Sequence, residues 1–365
     1  MRRSLALFGG VAASTLAVYV PLLPPSVTAE DSGELVTAAA TLGIPHPPGY
    51  PLWCLAAHPF TWLPFGTVGW RVALSSAVFG ACACGVTALI AQRLTGRAAA
   101  GLIAGLGLAL THHVAEQATI AEVYALNLLV LTGLLYALLR WDESAAPHRL
   151  YAAAALGGLG LATHNTFVLV GPVAALYVVL RRRTPWRHLF IAAGLAASGL
   201  LWYAYLPIRS LADPPVDWGD PETLARFWAV VSRQQYDHML TAAPRSLERL
   251  GWQIGWFGRE AFAFLWPVGL VLGTAGLLPL LRTRMSWGLM LIGTGVVNVV
   301  GFSLLQNFDA SPEWQHVMRV FTLPVFLTLA IGLGLCAGNL RMPDGKAATL
   351  SRLAVVAGCG LLFFT

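Results

Sequence analysis

Charged residues are scarce in this chain of 365 residues: only 11% are Asp, Glu, Lys or Arg, whereas 57% are hydrophobic. Soluble domains carry about 25% charged residues. So few charges cannot cover the surface of a soluble globule of this size, and the mean hydropathy of +0.67 agrees. Lipid is therefore the expected solvent for much of the chain.

Several motifs of soluble enzymes and binding proteins are also lacking. The five cysteines form no CxxC pair and no zinc-type spacing, which argues against a disulfide framework or a cysteine metal centre. No HExxH, GxSxG or Walker sequence occurs, which weakens the common hydrolase and NTPase hypotheses. The net charge of +6 comes from short basic clusters between apolar runs, so we expect no nucleic-acid partner.

Long apolar runs are abundant, and they predict about eleven membrane spans. A bilayer core of about 30 Å needs roughly twenty apolar residues in a helix. The predicted spans are 4–24, 71–92, 98–112, 118–139, 149–165, 166–181, 188–208, 261–281, 286–305, 317–339 and 350–365. The first is interpreted as a retained span, because its apolar run continues past the small residues that a cleavage site would need.

The basic residues give these spans an orientation. With the N-terminus inside, alternation puts fifteen of the 23 Lys and Arg residues in the inside segments, as the positive-inside rule requires. We therefore predict an all-α integral membrane protein whose residues 1–365 form a single polytopic domain. Two long segments, 25–70 and 209–260, are then the first and second outer loops. The basic inner loops and the Ala, Gly and Arg content suit a bacterial inner membrane, with the outer face toward the periplasm or exterior.

The first outer loop opens with an acidic motif, EDSGE at 30–34. Asp31 stands where its side chain can cap the following helix, and Glu34 falls near the first turn of that helix. Prolines between 45 and 51 then fix the backbone φ. The aromatic run from Trp53 to Phe65 suits helices at headgroup depth. Such a loop is expected to hold a carboxylate still beside the membrane.

Polar side chains recur at the outer ends of other spans, where ionisable residues are candidates for function. They are His112, His113, Glu116, Glu122, His164, Asn165, Arg209, Asp217, Trp218, Asp309, Glu313, His316 and Arg319. We expect this set to converge on one cavity. A carboxylate can act there as a general base, arginines can bind a phosphate bidentately, and Trp218 can stack on a sugar ring. This inventory fits sugar transfer from a lipid phosphate donor, and it is also compatible with a transporter or a divalent-metal hydrolase.

A series of collinear motifs resembles a known family of membrane proteins. The most specific is DSGELVTAAATLGIPHPPGYPLW at 31–53, and weaker matches follow at 63–81, 120–127, 161–166, 205–210, 216–228 and 233–237. The family resembled was long labelled a domain of unknown function. It includes the endoplasmic-reticulum O-mannosyltransferase that acts on plexin-type receptor domains. The resemblance covers roughly residues 15–240.

The resemblance implies a fold of the glycosyltransferase C superfamily and a role for specific residues. An acid in the first outer loop is then the catalytic base, which by position is Asp31, with Glu34 second. The substrate-binding residues implied are His46, Tyr50, Glu122, Tyr124, His164, Asn165, Arg209 and Trp218. For the donor phosphate we expect Arg209 first, with Arg71 and Arg319 as alternatives.

The predicted function is a membrane glycosyltransferase, expected to invert the sugar's configuration. It moves a sugar such as mannose from a polyprenyl-phosphate donor to a hydroxyl of a protein or glycan acceptor, at the outer face of the bilayer. No cofactor is expected, and a divalent metal is compatible with the residues but not required. The alternative is a flippase or transporter of lipid-linked sugars. The absence of an internal repeat, and polar residues at one face instead of the midplane, favour the enzyme.

Overall fold

The structure is a computed structural model that describes residues 2–181, 184–237 and 244–339. Within these ranges every regular element is helical, which confirms the predicted all-α class. The α-helices are α1 (Arg2–Tyr19), α2 (Ser32–Thr41), α3 (Pro51–Ala57), α4 (Val68–Thr95), α5 (Ala98–Ala109), α6 (His112–Thr119), α7 (Tyr124–Ser144), α8 (Pro147–Thr163), α9 (Phe167–Arg181), α10 (Trp186–Ser198), α11 (Tyr205–Ser210), α12 (Leu224–Val231), α13 (Leu247–Thr283), α14 (Met285–Gln306), α15 (Pro312–Met318) and α16 (Leu323–Asn339). Short 3₁₀ segments lie at Val20–Leu22, His58–Trp62, Gly199–Ala204, Gln234–Tyr236 and Arg319–Thr322.

Six helical stretches of the described residues are long and apolar enough to cross a membrane, and the number rises to eight if each of two bent pairs is one span. The bent pairs are α5 with α6, at 65°, and the two parts of α13 on either side of residues 264–266, at 105°. The predicted spans 149–165 and 166–181 correspond to α8 and α9, which are shorter, and 350–365 lies outside the described residues. A multi-pass membrane protein is thus confirmed, while the count of eleven stays a prediction.

The charged ends of the helices support the predicted alternation. Arg93 at the end of α4 pairs with Glu143 at the end of α7, at 3.0 Å. Arg97 donates to the carbonyl of Gly338 in the last turn of α16, at 2.6 Å. Residues that the alternation placed inside therefore meet at one end of the bundle. The two outer loops meet at another place, which is described below.

Close helix packing in the bundle depends on glycine at a few positions. A Cβ built on Gly276 of α13 would lie 1.8 Å from the carbonyl oxygen of Gly332 in α16. A Cβ on Gly199, where α10 ends, would lie 2.1 Å from the carbonyl oxygen of Gly158 in α8. In lipid the hydrophobic effect does not drive helices together, so helix association depends on close packing. Small residues permit this packing because they let helix backbones approach each other. Substitution of either glycine would force the paired helices apart.

Large apolar side chains are exposed on the faces of the helices that point away from this packing. Leu176 and Leu180 of α9 are 59% and 63% exposed, and Phe190 of α10 is 75% exposed. A soluble monomer rarely exposes contiguous apolar surface of this kind. These faces are the expected contact with lipid.

Candidate active site

The site is built where the first outer loop docks on the second. Ile44 pairs with Asp217 in an isolated parallel bridge. The amide of Ile44 donates to the carbonyl of Val216 at 2.7 Å, and the amide of Trp218 donates to the carbonyl of Ile44 at 2.9 Å. A Cβ on Gly43 would lie 2.6 Å from the Val216 carbonyl oxygen, so only glycine permits this approach. The bridge places Trp218 beside the residues that follow α2.

Side chains of α11 hold the same junction from the other side. Arg209 donates from Nε to the carbonyl of Leu42 at 2.8 Å and from Nη2 to that of Thr41 at 3.1 Å. Tyr205 donates its hydroxyl to the carbonyl of Gly43 at 2.8 Å. These bonds satisfy carbonyls at the end of α2 that the helix itself leaves without partners. Arg209 therefore fixes the junction of the two loops, and two of its three guanidinium nitrogens are engaged in doing so.

Asp31 occupies the N-cap position of α2, but its side chain makes no capping hydrogen bond. The prediction that it caps the helix is wrong in this respect. Its backbone is helical, with φ −81° and ψ 0°, so its carboxylate does not turn toward the first amides of α2. The carboxylate instead lies 3.8 Å from Nε2 of His46, with 55% of the side chain exposed. Glu34 falls in the first turn of α2, as predicted.

His46 connects the acidic motif to the rest of the site. Its backbone amide donates to Oε1 of Glu34, and its Nδ1 lies 3.4 Å from Oε2 of the same carboxylate. On the other edge of the ring, Nε2 lies 2.9 Å from the hydroxyl of Tyr50. The imidazole also meets Trp218 edge-on, with ring centroids 6.4 Å apart. One histidine therefore contacts two carboxylates, a phenol and an indole.

Aromatic rings continue inward from His46. Tyr50 has left-handed backbone angles, φ 39° and ψ 54°, which a non-glycine residue adopts only at some cost and which recur at functional sites. Its ring stacks on His164 at 5.7 Å with an interplanar angle of 10°. His164 in turn contacts Tyr124 at 5.2 Å and Phe321 at 6.0 Å. The structure thus brings together most of the predicted site residues from four separate segments.

Electrostatics distinguish Asp31 from an ordinary surface acid. Partial burial raises the pKa of Asp31 above its usual range, His46 acts to lower it, and the nearby Glu34 and Glu30 raise it further. Burial also raises the pKa of Tyr50, an effect that the charge of Arg233 opposes. Tyr50 therefore stays a neutral hydrogen-bonding group. Asp31 is a carboxylate with raised basicity and access to solvent, which is what a general base requires.

Glu122 is the most deeply buried acid of the predicted set. It lies between α6 and α7 and is 4% exposed. Its carbonyl accepts hydrogen bonds from the indole of Trp53 at 3.0 Å and the hydroxyl of Ser76 at 3.2 Å. Burial and the charge of Asp31 raise the pKa of its carboxyl. This raised pKa disfavours the charged form of Glu122, whose Oε2 accepts a hydrogen bond from the amide of Val123 at 3.3 Å.

Asn165 lies at the inner edge of the site, next to His164. Its Oδ1 is 3.5 Å from the hydroxyl of Tyr203, which donates to the carbonyl of Leu161 at 3.0 Å. Tyr203 was not among the predicted residues. Its position depends on the packing of the 3₁₀ segment Gly199–Ala204 against α8, which no local pattern reveals.

Arg233 is a basic residue at this site that was not among the predicted site residues. It carries a positive backbone angle, φ 62°, and its guanidinium lies 4.7 Å from the centre of the Tyr236 ring. Next to it, Gln235 accepts a hydrogen bond from the Trp218 indole at 2.8 Å. The positive charge of Arg233 acts on both Tyr50 and Tyr236. Its place in the motif RQQYD at 233–237 was the one signal that could have identified it.

The two alternative phosphate ligands, Arg71 and Arg319, are engaged in contacts of their own. Arg71 donates from Nη1 to the carbonyls of Thr61 and Leu63, and so holds the end of the interfacial segment of the first outer loop. Arg319 lies with Nε 3.4 Å from Oε2 of Glu260. Glu30, the neighbour of Asp31, is bound by His316 of α15. Both arginines have structural partners where they stand.

Asp31, Glu34 and His46 each offer a ligand atom within 4.8 Å of the others, so the group can accommodate a divalent cation. The same His46 atoms are already used by Glu34 and Tyr50. A metal is therefore compatible with the site and is not needed to explain its geometry.

Comparison with known proteins shows which family the chain resembles. Residues 31–187 match the family of Protein O-mannosyl-transferase TMEM260 N-terminal domains. The match starts at Asp31, and it confirms the predicted resemblance. In the mouse, Protein O-mannosyl-transferase TMEM260 is 40% identical over 248 residues, which are 64% of this chain and 35% of the relative. The protein of the same name in Dictyostelium discoideum is 26% identical over 91% of this chain and 45% of the relative. The chain therefore spans less than half the length of these curated relatives.

Solved structures show the fold. A crystal structure of ArnT from Cupriavidus metallidurans bound to undecaprenyl phosphate superposes with a TM-score of 0.65 at 19% identity, over 98% of this chain and 64% of that one. The apo form of the same protein gives 0.58 at 20% identity, over the same shares of the two chains. At this identity the likeness concerns the fold, and it confirms the predicted glycosyltransferase-C architecture.

The predicted bacterial inner membrane finds no support in the sequence relatives. Both curated relatives come from eukaryotes, a mammal and a social amoeba. The basic inner loops that suggested a bacterial membrane follow from the positive-inside rule, which sets orientation and does not identify the membrane.

Proposed function

We propose that the chain is a glycosyltransferase that uses a polyprenyl-phosphate sugar at the outer face of the membrane. The observation that carries the proposal is the half-exposed Asp31 carboxylate beside His46, Tyr50 and Trp218. A base with raised basicity stands next to aromatic rings on which a sugar can stack. The names of the relatives, which are O-mannosyl-transferases, and the undecaprenyl phosphate bound by ArnT support the same reaction class.

In the proposed reaction Asp31 takes the proton from an acceptor hydroxyl. The hydroxyl oxygen forms a bond to the anomeric carbon of the donor as the bond from that carbon to the phosphate oxygen breaks. Polyprenyl phosphate leaves with the bonding electrons, and a single displacement of this kind inverts the configuration of the sugar. Mannose is the first sugar to test, and the acceptor hydroxyl belongs to a protein or a glycan.

Arg233 is the proposed ligand of the leaving phosphate. A preorganised positive charge where negative charge develops is commonly the largest catalytic contribution. Its charge already acts on Tyr50 and Tyr236 at the edge of the site. Arg209 stays a candidate, but its two bonds to the end of α2 give it a positioning role as well. Glu34 positions His46 and, through it, Asp31.

The transporter alternative is less consistent with the site. A transporter of lipid-linked sugars needs a binding site that opens to both faces, and such sites lie near the bilayer midplane. Asp31, His46 and Trp218 belong instead to the joined outer loops. No observation in the described residues favours transport over transfer.

The test is release of label from a panel of radiolabelled polyprenyl-phosphate sugars by purified protein in lipid. Turnover by the wild type is expected to fall by about 1,000-fold in Asp31→Asn, within the range for loss of a general base. Glu222→Gln removes an exposed acid of the second outer loop outside the site and serves as the matched control. If wild type and Asp31→Asn are both inert across the panel while the wild type moves a labelled lipid-linked sugar between leaflets, the transferase proposal is wrong.

A further inference from the structure

A second group of histidine and carboxylate side chains, which shares no residue with the group of Asp31, Glu34 and His46, lies on α6. His112, His113 and Glu116 each offer a ligand atom, and these atoms all lie within 4.8 Å of one another. His113 is buried, at 1% exposed, Glu116 is about one-third exposed, and His112 faces outward. An ion can therefore reach the group from solvent while one ligand stays fixed inside the protein.

The ligand types select a class of metal. Two imidazoles and one carboxylate form a familiar set for Zn²⁺, with a water molecule in the fourth position. Ca²⁺ and Mg²⁺ prefer oxygen ligands throughout, so histidine nitrogens disfavour them. Divalent transition metals of the zinc type are the class that these side chains fit.

The surroundings of His113 supply an independent argument. Its Nε2 lies 3.3 Å from Oε2 of Glu260 on α13, while its Nδ1 lies 3.9 Å from Oε2 of Glu116. A histidine that binds a metal usually donates its other ring N–H to a carboxylate, which fixes the tautomer and the ring orientation. Glu260 is the carboxylate in this position, because it lies next to Nε2 of His113. If Nε2 carries the proton, the lone pair of Nδ1 points toward Glu116.

Glu260 is itself held in position. Its side chain is 13% exposed, and the same Oε2 atom lies 3.4 Å from Nε of Arg319. The ring of His113 also packs edge-on against Phe326 of α16, with centroids 5.4 Å apart. Residues of α13, α16 and the segment Arg319–Thr322 therefore orient one ligand of the group on α6. Such support for a metal ligand is what distinguishes a built site from a chance cluster of polar residues.

We propose that His112, His113 and Glu116 bind a Zn²⁺-type metal ion that stabilises the outer end of the bundle. α6 follows α5 after a bend of 65°, so its position is not fixed by a continuous helix. A metal on His113 would strengthen the His113–Glu260–Arg319 contacts that tie α6 to α13 and to the segment Arg319–Thr322. This proposal does not depend on the transferase reaction.

Co²⁺ is the probe, because its visible absorption reports ligand number and geometry. Protein stripped with a chelator is titrated with Co²⁺ in detergent, and Zn²⁺ is then added to displace it. His112→Ala and Glu116→Gln are expected to weaken the Co²⁺ affinity by at least about 100-fold, because each removes one of three protein ligands. Glu260→Gln, which keeps the ligands and alters only the support of His113, should weaken it by about 10- to 100-fold.

The group at Asp31, Glu34 and His46 is the necessary control, since its ligand atoms are equally close. His46→Ala should leave the Co²⁺ spectrum of the α6 site unchanged, and the double variant His46→Ala with Glu116→Gln should lose it. His112 and Glu116 are accessible, so their variants are expected to fold. Affinities within about threefold of the wild type in both variants, or no Co²⁺ binding by folded wild type, would overturn the proposal.

Discussion

Two groups in the structure each contain histidine and carboxylate side chains, and their surroundings differ. In the first, Asp31 is half-exposed and His46 contacts the rings of Tyr50 and Trp218. In the second, His113 is buried and paired with Glu260, which Arg319 neutralises. The same residue types therefore suit chemistry where a carboxylate is accessible beside aromatic surfaces. They suit a structural role where the histidine is enclosed and its charges are matched.

The basic residues around the two groups give the sharpest way to test this difference. Arg233→Ala should lower turnover by about 100-fold or more, because it removes charge from the leaving phosphate. Arg209→Ala should lower turnover to a similar degree and also lower the melting temperature, since it releases the end of α2. Arg319→Ala, next to the second group, should lower turnover by at most about threefold. Turnover with the labelled donor and thermal unfolding are measured on the same preparations.

A different ranking of the three arginines would contradict the assignment. If Arg233→Ala changed turnover by less than about threefold, Arg233 would have no part in phosphate binding. If Arg319→Ala gave the largest loss, the two groups would belong to one reaction centre.

The pH dependence of turnover tests the link between His46 and Asp31. A base is active when deprotonated, so the rate falls as the pH falls through the pKa of Asp31, which lies above the usual aspartate range. The neighbouring His46 lowers that pKa. Its removal in His46→Ala should therefore raise the pKa of Asp31 and move the acid limb of the profile to higher pH. A limb that stays in place, or moves to lower pH, would show that His46 does not act on the base.

The smallest expected effect on turnover comes from removal of metal. A chelator should lower the melting temperature by loss of the ion on α6, while turnover well below that temperature changes by less than about threefold. Turnover that collapses and returns on addition of Zn²⁺ or Mn²⁺ would mean that Asp31, Glu34 and His46 hold a catalytic metal. The first group would then be a catalytic metal site, and the contrast drawn here between the two groups would be wrong.

Features that depend on local composition could be predicted from the sequence. Apolar runs predicted the helices of the bundle. The positive-inside rule predicted which helix ends lie on the same side, and the pairing of Arg93 with Glu143 is consistent with that prediction. The motif at 31–53 indicated Asp31, Glu34 and His46 together because they lie within sixteen residues of one another. Each of these inferences needs only a short stretch of chain or a count of charges.

Features that depend on the docking of distant segments could not be predicted. Arg209 was expected to bind a phosphate, but its bonds to Thr41 and Leu42 exist only because the two outer loops meet. The missing cap at Asp31 has a different origin, since it follows from the helical backbone angles of this residue, which the residue types alone do not reveal. Arg233 was overlooked because an arginine in a polar loop is usually solvated. Its relation to Tyr50 is visible only in three dimensions.

The bridge between Ile44 and Asp217 has a consequence for how the protein is made. The segment with Asp31 is synthesised and delivered across the membrane long before the segment with Trp218. Until residues 205–218 have arrived on the same side of the membrane, the segment that carries Asp31 has no partner surface. A nascent chain would therefore lack the assembled site. So would a chain in which a single span between the two segments failed to insert, because an odd number of missing crossings would leave them on opposite sides of the bilayer. Assembly of the proposed site would therefore report that the two segments have reached the same side of the membrane.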